Sequence, residues 1–206
     1  MTKVNTLLLR LEGPMQSWGY RSRFDYRDTA LEPTRSGVVG LICAAMGIAR
    51  GEEIARFDVL RMGVRVERGG RPERDYHTAL DVIKADGSGK GNVVSYRDYL
   101  ADASFTVGLE SKDVQLLNEI ADALRSPEWF LFLGRKAFPL TVPPLGPEDG
   151  PKRGTLEEHL LSGGDGKRVV LESPGGERTQ HDWPLCFGER RFKPRSIQTK
   201  FGGATP

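Results

Sequence analysis

The sequence contains few of the residues that build disulfide frameworks and metal sites. There are 2 cysteines, Cys43 and Cys186, and 3 histidines among 206 residues. Two thiols in a chain of this length do not make a disulfide framework, and neither a C-x-x-C pair nor a tight acidic cluster suggests a metal ion. We therefore expect no metal, no cofactor and a reducing, cytoplasmic environment.

Long hydrophobic runs and a large net charge are also missing. The longest uncharged stretch, 36–49, falls short of the ~20 residues that span a bilayer, and the N-terminus lacks the layout of a signal peptide, so we expect no membrane partner. The net charge is +2, from 30 basic and 28 acidic residues, which excludes a polybasic protein of histone type. The charge is uneven, because residues 185–206 carry +4 and the rest of the chain −2.

Glycine and proline are abundant, at 25 and 13 residues, which disfavours an all-helical bundle and favours loops and short strands. Hydrophobic periodicity predicts, in chain order, strand 6–11, helix 38–49, strand 62–67, strand 104–109, helix 113–125 and strand 129–133. This β-α-β-β-α-β order predicts an α+β fold, a ferredoxin-like (RRM-like) sandwich with an antiparallel sheet covered on one face by two helices.

Two regions stand outside this pattern. Residues 69–97 form a long, polar, glycine-rich insertion, whose arms pair as a β-hairpin around 87–91 and which we expect to be functional because of its length. Residues 141–206 are dense in glycine and proline and predict a small β-rich extension. We therefore divide the chain into a domain at 1–140, which includes the insertion, and a C-terminal extension at 141–206.

The loop before the first helix and the start of that helix suit a nucleic acid. A helix N-terminus presents unpaired amides and a partial positive charge, which favour phosphate, and Thr34 or Ser36 can cap it. Aromatic residues such as Trp18 can stack on unpaired bases while neighbouring arginines contact the backbone. Alternatively, Trp18 packs the loop onto the core and Arg35 is a solvated cation at the helix end.

Two further segments carry candidate chemistry. His77, beside Tyr76 and Arg74, suits either acid–base cleavage of RNA without a metal, or stacking and hydrogen bonding, or an ordinary surface position. The turn 134–136 combines a glycine, which lets the backbone approach a phosphate, with Arg135 and Lys136, which neutralise it. The alternative for this turn is a strand end with solvated charges.

Five blocks of the sequence, taken in order, resemble one known family. They are LRLEGPMQSWG at 9–19, PTRSGVVGL at 33–41, RDYHT at 74–78, YLADASFTV at 99–107 and LGRK at 133–136. They resemble the CasD family, whose members hold the 5′ handle of CRISPR RNA in the type I-E Cascade surveillance complex. The resemblance spans about residues 7 to 145.

The resemblance implies a ferredoxin-like RNA-binding domain with a hairpin thumb that caps one end of a ribonucleoprotein complex used in antiviral defence. The implied partners are the 5′ handle, the Cascade backbone subunit, the large PAM-reading subunit and, indirectly, target DNA near the PAM end. A related subfamily cuts repeat RNA, whereas the type I-E members resemble non-catalytic binders.

Our main hypothesis is a non-catalytic, RNA-binding subunit. The alternatives are a metal-independent endoribonuclease that uses Tyr76 and His77, and a scaffold that contacts only proteins. The candidate RNA-binding residues are Gln16, Ser17, Trp18, Arg23, Arg27, Thr34, Arg35 and Ser36 for the handle, Arg74, Tyr76, His77 and Arg97 for the thumb, and Arg135 and Lys136 for the turn.

Overall fold

A computed structural model describes residues 4–19, 21, 25–162 and 166–203 of the chain, so the candidate Arg23 lies outside the described residues. The elements in chain order are β1 (Asn5–Glu12), β2 (Met15–Gln16), β3 (Tyr26–Arg27), α1 (Arg35–Ala45), a 3₁₀ helix (Ala55–Val59), β4 (Arg61–Arg68), β5 (Arg71–Ile83), β6 (Lys90–Ala101), β7 (Ser104–Ser111), α2 (Val114–Arg125), β8 (Lys152–Arg153), α3 (Leu156–Leu161), β9 (Arg168–Glu172), β10 (Arg178–Cys186) and β11 (Arg191–Phe201). The predicted α+β class is confirmed.

Seven of the strands form one antiparallel sheet in the order β10-β11-β9-β4-β7-β1-β8. Successive side chains of a strand point to opposite faces, and Leu7, Leu9 and Leu11 of β1 accordingly enter the main core, which α1 and α2 help to form. The neighbouring Leu8 packs against a smaller apolar cluster that includes Leu156 of α3. The sheet therefore has helices on both faces, whereas the sequence predicted them on one.

The predicted strand at 129–133 is wrong. Within the described residues, this segment forms only an isolated bridge between Phe132 and Pro139. The reason is that the start of the segment is bound to the end of α1, since Trp129 N donates to Ala44 O and the preceding Glu128 N donates to Ala45 O. The segment therefore covers the end of a helix, and the sheet edge beside β1 is taken by β8.

The insertion forms a β-hairpin longer than predicted. Strands β5 and β6 pair from Arg71 opposite Ala101 out to Ile83 opposite Lys90. The short strands β2 and β3 add to the base of β6, and together the four strands make a second sheet. The base of the hairpin is thereby fixed beside the loop that precedes α1.

The C-terminal strands continue the main sheet, because β9 pairs with β4, and β11 pairs with β9. The helix α3 packs among these strands on the face opposite the main core. The division of the chain at 140 stays a prediction. None of the helices among the described residues is long and apolar enough to cross a membrane.

Candidate nucleic-acid interface

A cleft of about 560 Å³ opens between the loop before α1, the start of α1, the turn 134–135 and the turn between β10 and β11. Elements far apart in sequence supply its cationic lining. The arginines that line it are Arg27, Arg50, Arg97, Arg135 and Arg190. Ser17, Thr34, Ser36 and His181 add polar groups, and Phe187 and Phe192 add aromatic rings.

The arginines of the cleft differ from most others in the chain because no described residue forms an ion pair with them. Across the described part of the chain, none of the five forms an ion pair, and Arg27, Arg50 and Arg190 make no side-chain hydrogen bond. By contrast, Arg61 pairs with Glu157 and Arg178 with Glu32. Asp28 also lines the cleft, so five arginines face one carboxylate there. An excess of cations of this kind creates the positive field that attracts a polyanion.

Two of the neighbouring cations lie close enough to Arg135 to affect its protonation. Burial is the main cause that lowers the pKa of Arg135 from its ordinary value, and the nearby charge of Arg97 is the next. Arg27 lowers this pKa as well. Arg135 is held in place because its Nη2 donates to Asp98 O at 2.8 Å. The cleft thus holds a fixed, half-buried cation among others, an arrangement that a bound anion would stabilise.

Gly134 allows the turn beside Arg135 to lie against the loop before α1. Ser17 N donates to Leu133 O at 3.0 Å, and a Cβ added at Gly134 would lie 1.7 Å from Ser17 O. Gly134 also has a φ of +87°, in the left-handed region that favours glycine. The glycine that was predicted to admit a phosphate therefore admits the chain's own backbone.

The start of α1 is already satisfied by the protein, which corrects the expectation of a phosphate at its amides. Thr34 caps the helix, as predicted, and its Oγ1 accepts from Gly37 N at 3.3 Å. The buried carboxylate of Asp182 accepts from Arg35 N at 2.8 Å. An internal carboxylate thus occupies the position at the helix dipole where an external anion was expected.

The Arg35 side chain is also turned inward, with only 1% of the residue exposed. Its Nη1 donates to Glu172 Oε1 at 2.9 Å and its guanidinium stacks on the Trp183 ring at 3.6 Å. Gln16 is buried as well, and its Nε2 donates to Ala103 O at 2.8 Å. Both residues are therefore assigned to holding the fold, a correction to their sequence-based role as RNA contacts.

Trp18 serves both the core and the cleft. It is 1% exposed, its Nε1 donates to Gln16 Oε1 at 3.1 Å, and its edge lines the cleft. Close packing explains why Gly37 stands at the first turn of α1, since a Cβ there would lie 2.7 Å from the Trp18 ring. Trp18 therefore positions the loop and does not offer an open face for stacking.

An apolar groove of about 1050 Å³ continues from the cleft, between α1 and the segment 129–139. The two share Ser36, Gly37, Arg50, Gly134 and Phe187. The apolar lining comes mainly from Leu41, Ala44, Ile48, Trp129, Phe132 and Phe187, and Lys136 lies beside them. Phe130, at the rim, is 95% exposed. A charged cleft that opens into an apolar groove matches a nucleotide, which is anionic at one end and aromatic at the other.

Residues 6–201 of the chain match the model of the CRISPR-associated Cas5 proteins. The chain belongs to the Cas5 family. It is 35% identical to the CRISPR system Cascade subunit CasD of Escherichia coli strain K12, in an alignment of 215 positions that covers 96% of this chain and 96% of that protein. The resemblance to CasD that the five sequence blocks indicated is thereby confirmed.

Solved structures give the same relationship. This Cas5 chain matches a chain of a CRISPR RNA-guided surveillance complex with 32% identity and a TM-score of 0.81, over 96% of this chain and 90% of that one. It also matches the crystal structure of a Cas protein with 39% identity and a TM-score of 0.77, over 96% of this chain and 95% of that one.

Three thumb candidates of this Cas5 chain, Arg74, Tyr76 and His77, lie along the hairpin, outside the cleft. Arg74 Nε donates to Asp98 Oδ1 at 2.7 Å. That hydrogen bond is the main cause that lowers the pKa of Asp98, which also accepts from Tyr26. Tyr76 is 62% exposed and meets Tyr96 edge-on. Of the thumb candidates, only Arg97, at the base of β6, reaches the cleft.

Five further residues of the cleft are absent from the candidates that the sequence indicated. Arg50 follows the end of α1, and His181, Phe187, Arg190 and Phe192 come from the C-terminal strands and their turn. The positive charge of 185–206 was a signal for Arg190. No comparable signal marked Arg50, which follows the uncharged run that folds as α1.

Proposed function

We propose that this Cas5 chain is a non-catalytic subunit of a type I-E CRISPR RNA-guided surveillance complex, in which it binds and caps the 5′ handle of the CRISPR RNA. The similarity to CasD of Cascade supports membership of such a complex. The observation that carries the RNA-binding part is the cleft, whose five arginines have no carboxylate partner among the described residues. The phosphates of a single strand would supply the missing anions.

The proposed binding mode uses both parts of the site. Arg27, Arg97 and Arg135 lie together in the cleft and contact successive phosphates. Bases that have left the stack enter the apolar groove, whose walls include Leu41 and Phe132. Single-stranded RNA is recognised in this way, by phosphate contacts combined with aromatic and apolar surfaces for unstacked bases.

The proposed partners would contact other parts of the fold. The β5–β6 hairpin is the thumb, which lies over the guide and against the backbone subunit, and exposed Leu80 and Ile83 at its far end suit a protein contact. The large PAM-reading subunit lies beside the cap, so that target DNA is met only indirectly. The domain at 1–140 is ferredoxin-like, with the extension at 141–206 beside it, and the complex works in the cytoplasm without cofactor or metal.

Binding of the handle can be tested with the assembled complex. We expect complex purified with a guide RNA that carries the handle to retain this chain, and complex assembled on a guide without the handle to lose it. Ultraviolet crosslinking of the intact complex should give an adduct between this chain and the handle. Equal retention on both guides, with no RNA adduct, would instead indicate a scaffold that contacts only proteins.

The endoribonuclease alternative depends on Tyr76 and His77. They are consecutive residues of β5, so their side chains point to opposite faces of the hairpin, which disfavours joint action on one phosphate. We expect repeat RNA incubated with the purified protein in EDTA to stay intact, with wild type and with His77→Ala alike, by gel electrophoresis. A product made by the wild type and lost in His77→Ala would establish an enzyme.

A further inference from the structure

The turn between β10 and β11 forms a wall of the cleft and is held firmly against α1. This turn covers residues 187–190. A Cβ added at Gly40 of α1 would lie 3.8 Å from the Phe187 ring, and one added at Gly188 would lie 3.2 Å from Arg50 O. Phe187 also meets Phe192 edge-on, with ring centroids 6.4 Å apart. The wall is thus packed in place, although it comes from the part of the chain that the sequence left without a function.

Arg190, the last residue of this turn, has an unfavourable backbone conformation. Its φ is +53°, in the left-handed region, which is unfavourable for a residue with a Cβ and readily adopted by glycine. Backbone conformations of this kind cluster at functional sites, where the surrounding structure enforces them. The backbone conformation at position 190 therefore favours glycine, and the presence of arginine there needs a reason other than the backbone.

No contact among the described residues explains why position 190 carries an arginine side chain. Among the residues that the structure describes, the Arg190 guanidinium forms neither a hydrogen bond nor an ion pair, and it lines the cleft. The adjacent Glu189 pairs with Arg191 instead, at 2.6 Å. Two consecutive arginines thus have different surroundings, since one is neutralised at the surface and the other faces the cleft without a partner.

We propose that Arg190 is a phosphate-binding residue that the β10–β11 turn presents to the strand in the cleft, with the exposed Phe192 and His181 as surfaces for an adjoining base. Arg50, which the turn contacts, contributes a second cation to the same wall. Arg27, Arg97 and Arg135 face them from the other elements that line the cleft. The single strand thus passes between cations on both sides, and the C-terminal strands become part of the RNA site.

The inference rests on the proposed function and is tested by two substitutions at one position. Arg190→Gly and Arg190→Gln should each weaken binding of a fluorescently labelled single-stranded handle RNA to the full chain about tenfold, which corresponds to ~1.4 kcal/mol. The slope of log affinity against log salt should fall by about 0.7, as one lost phosphate contact predicts. Because glycine removes the backbone strain, Arg190→Gly should melt at or above the wild-type temperature.

The matched control is Arg191→Gln, which removes the same charge one residue away. We expect it to change the RNA affinity less than twofold. If the Arg190 variants bind as tightly as this control, or if Arg190→Gly loses affinity together with thermal stability, the assignment of Arg190 to phosphate is overturned. A wild-type chain that binds no handle RNA at low salt would overturn the proposed function itself, a result distinct from both.

Discussion

Asp182→Ala should lower the free energy of unfolding by about 3–5 kcal/mol, the range expected when one partner of a buried ion pair is removed. Asp182 is fully buried and makes two hydrogen bonds with Arg195, from Nε to Oδ1 at 2.6 Å and from Nη2 to Oδ2 at 2.9 Å. Without it, the buried charges of Arg195 and Arg35 would share the single carboxylate of Glu172. Urea denaturation of the purified chain, followed by circular dichroism, measures the loss.

The effect should be large because Asp182 belongs to a network of four buried charges. Glu172 accepts hydrogen bonds from Arg35 and from Arg195, each at about 3 Å, and from Met62 N. Burial opposes the charge of Arg195, but its hydrogen bonds to Asp182 raise its pKa above the ordinary value. The network joins the start of α1 to β9, β10 and β11, so its loss would loosen two walls of the cleft together.

Two comparisons keep the Asp182 prediction decisive. Asp182→Asn preserves the shape and removes the charge, so it should be destabilised less than Asp182→Ala and remains measurable if the alanine variant does not fold. Glu189→Ala breaks the exposed ion pair with Arg191, which is worth at most about 1 kcal/mol. A loss for Asp182→Asn no larger than that for Glu189→Ala would contradict the importance of the network.

Much of the fold follows from local pattern. The alternation of Leu7, Leu9 and Leu11 and the periodicity of α2 mark elements whose apolar faces are buried. The segment 129–133 has the apolar and aromatic composition of a strand. However, the amide of Trp129, with that of Glu128 before it, donates to the last carbonyls of α1. Hydrophobic periodicity does not reveal such a hydrogen bond between distant segments. The sequence therefore indicated the elements better than their pairing.

The site was harder to predict because burial of charge depends on long-range pairing. Arg35 has every local feature of an exposed cation at a helix start, yet the carboxylate that holds it belongs to Glu172, 137 residues away. Arg27 and Arg97 have ordinary local contexts too. What distinguishes them is that neither forms an ion pair in the described structure, although Asp75 lies opposite Arg97 in the hairpin and Asp28 also lines the cleft. The composition therefore gives the number of cations, but it does not distinguish cations that form ion pairs within the protein from cations that are available to a ligand.

This distinction leads to the largest expected effect on function. A variant with Arg27→Gln, Arg50→Gln and Arg97→Gln should bind handle RNA at least about a thousandfold more weakly at moderate salt, since each lost charged hydrogen bond is worth about 1.5 kcal/mol or more and a tenfold change corresponds to ~1.4 kcal/mol. Arg135 is left intact because it is half-buried and its hydrogen bond to Asp98 O holds the turn. Binding of labelled RNA by the full chain, measured by fluorescence anisotropy across a salt series, tests this prediction.

The control changes the net charge by the same amount. Arg10, Arg56 and Arg125 are exposed or partly exposed, pair with Glu12, Glu119 and Asp122 respectively, and lie outside the cleft. Because only contacted phosphates release counterions, the cleft variant should lose about 2 units of salt slope and the control almost none. Equal losses in the two triple variants would mean that overall charge drives binding and that the cleft has no special role. A selective loss in the cleft variant would separate cations placed for a ligand from cations that the fold has already neutralised.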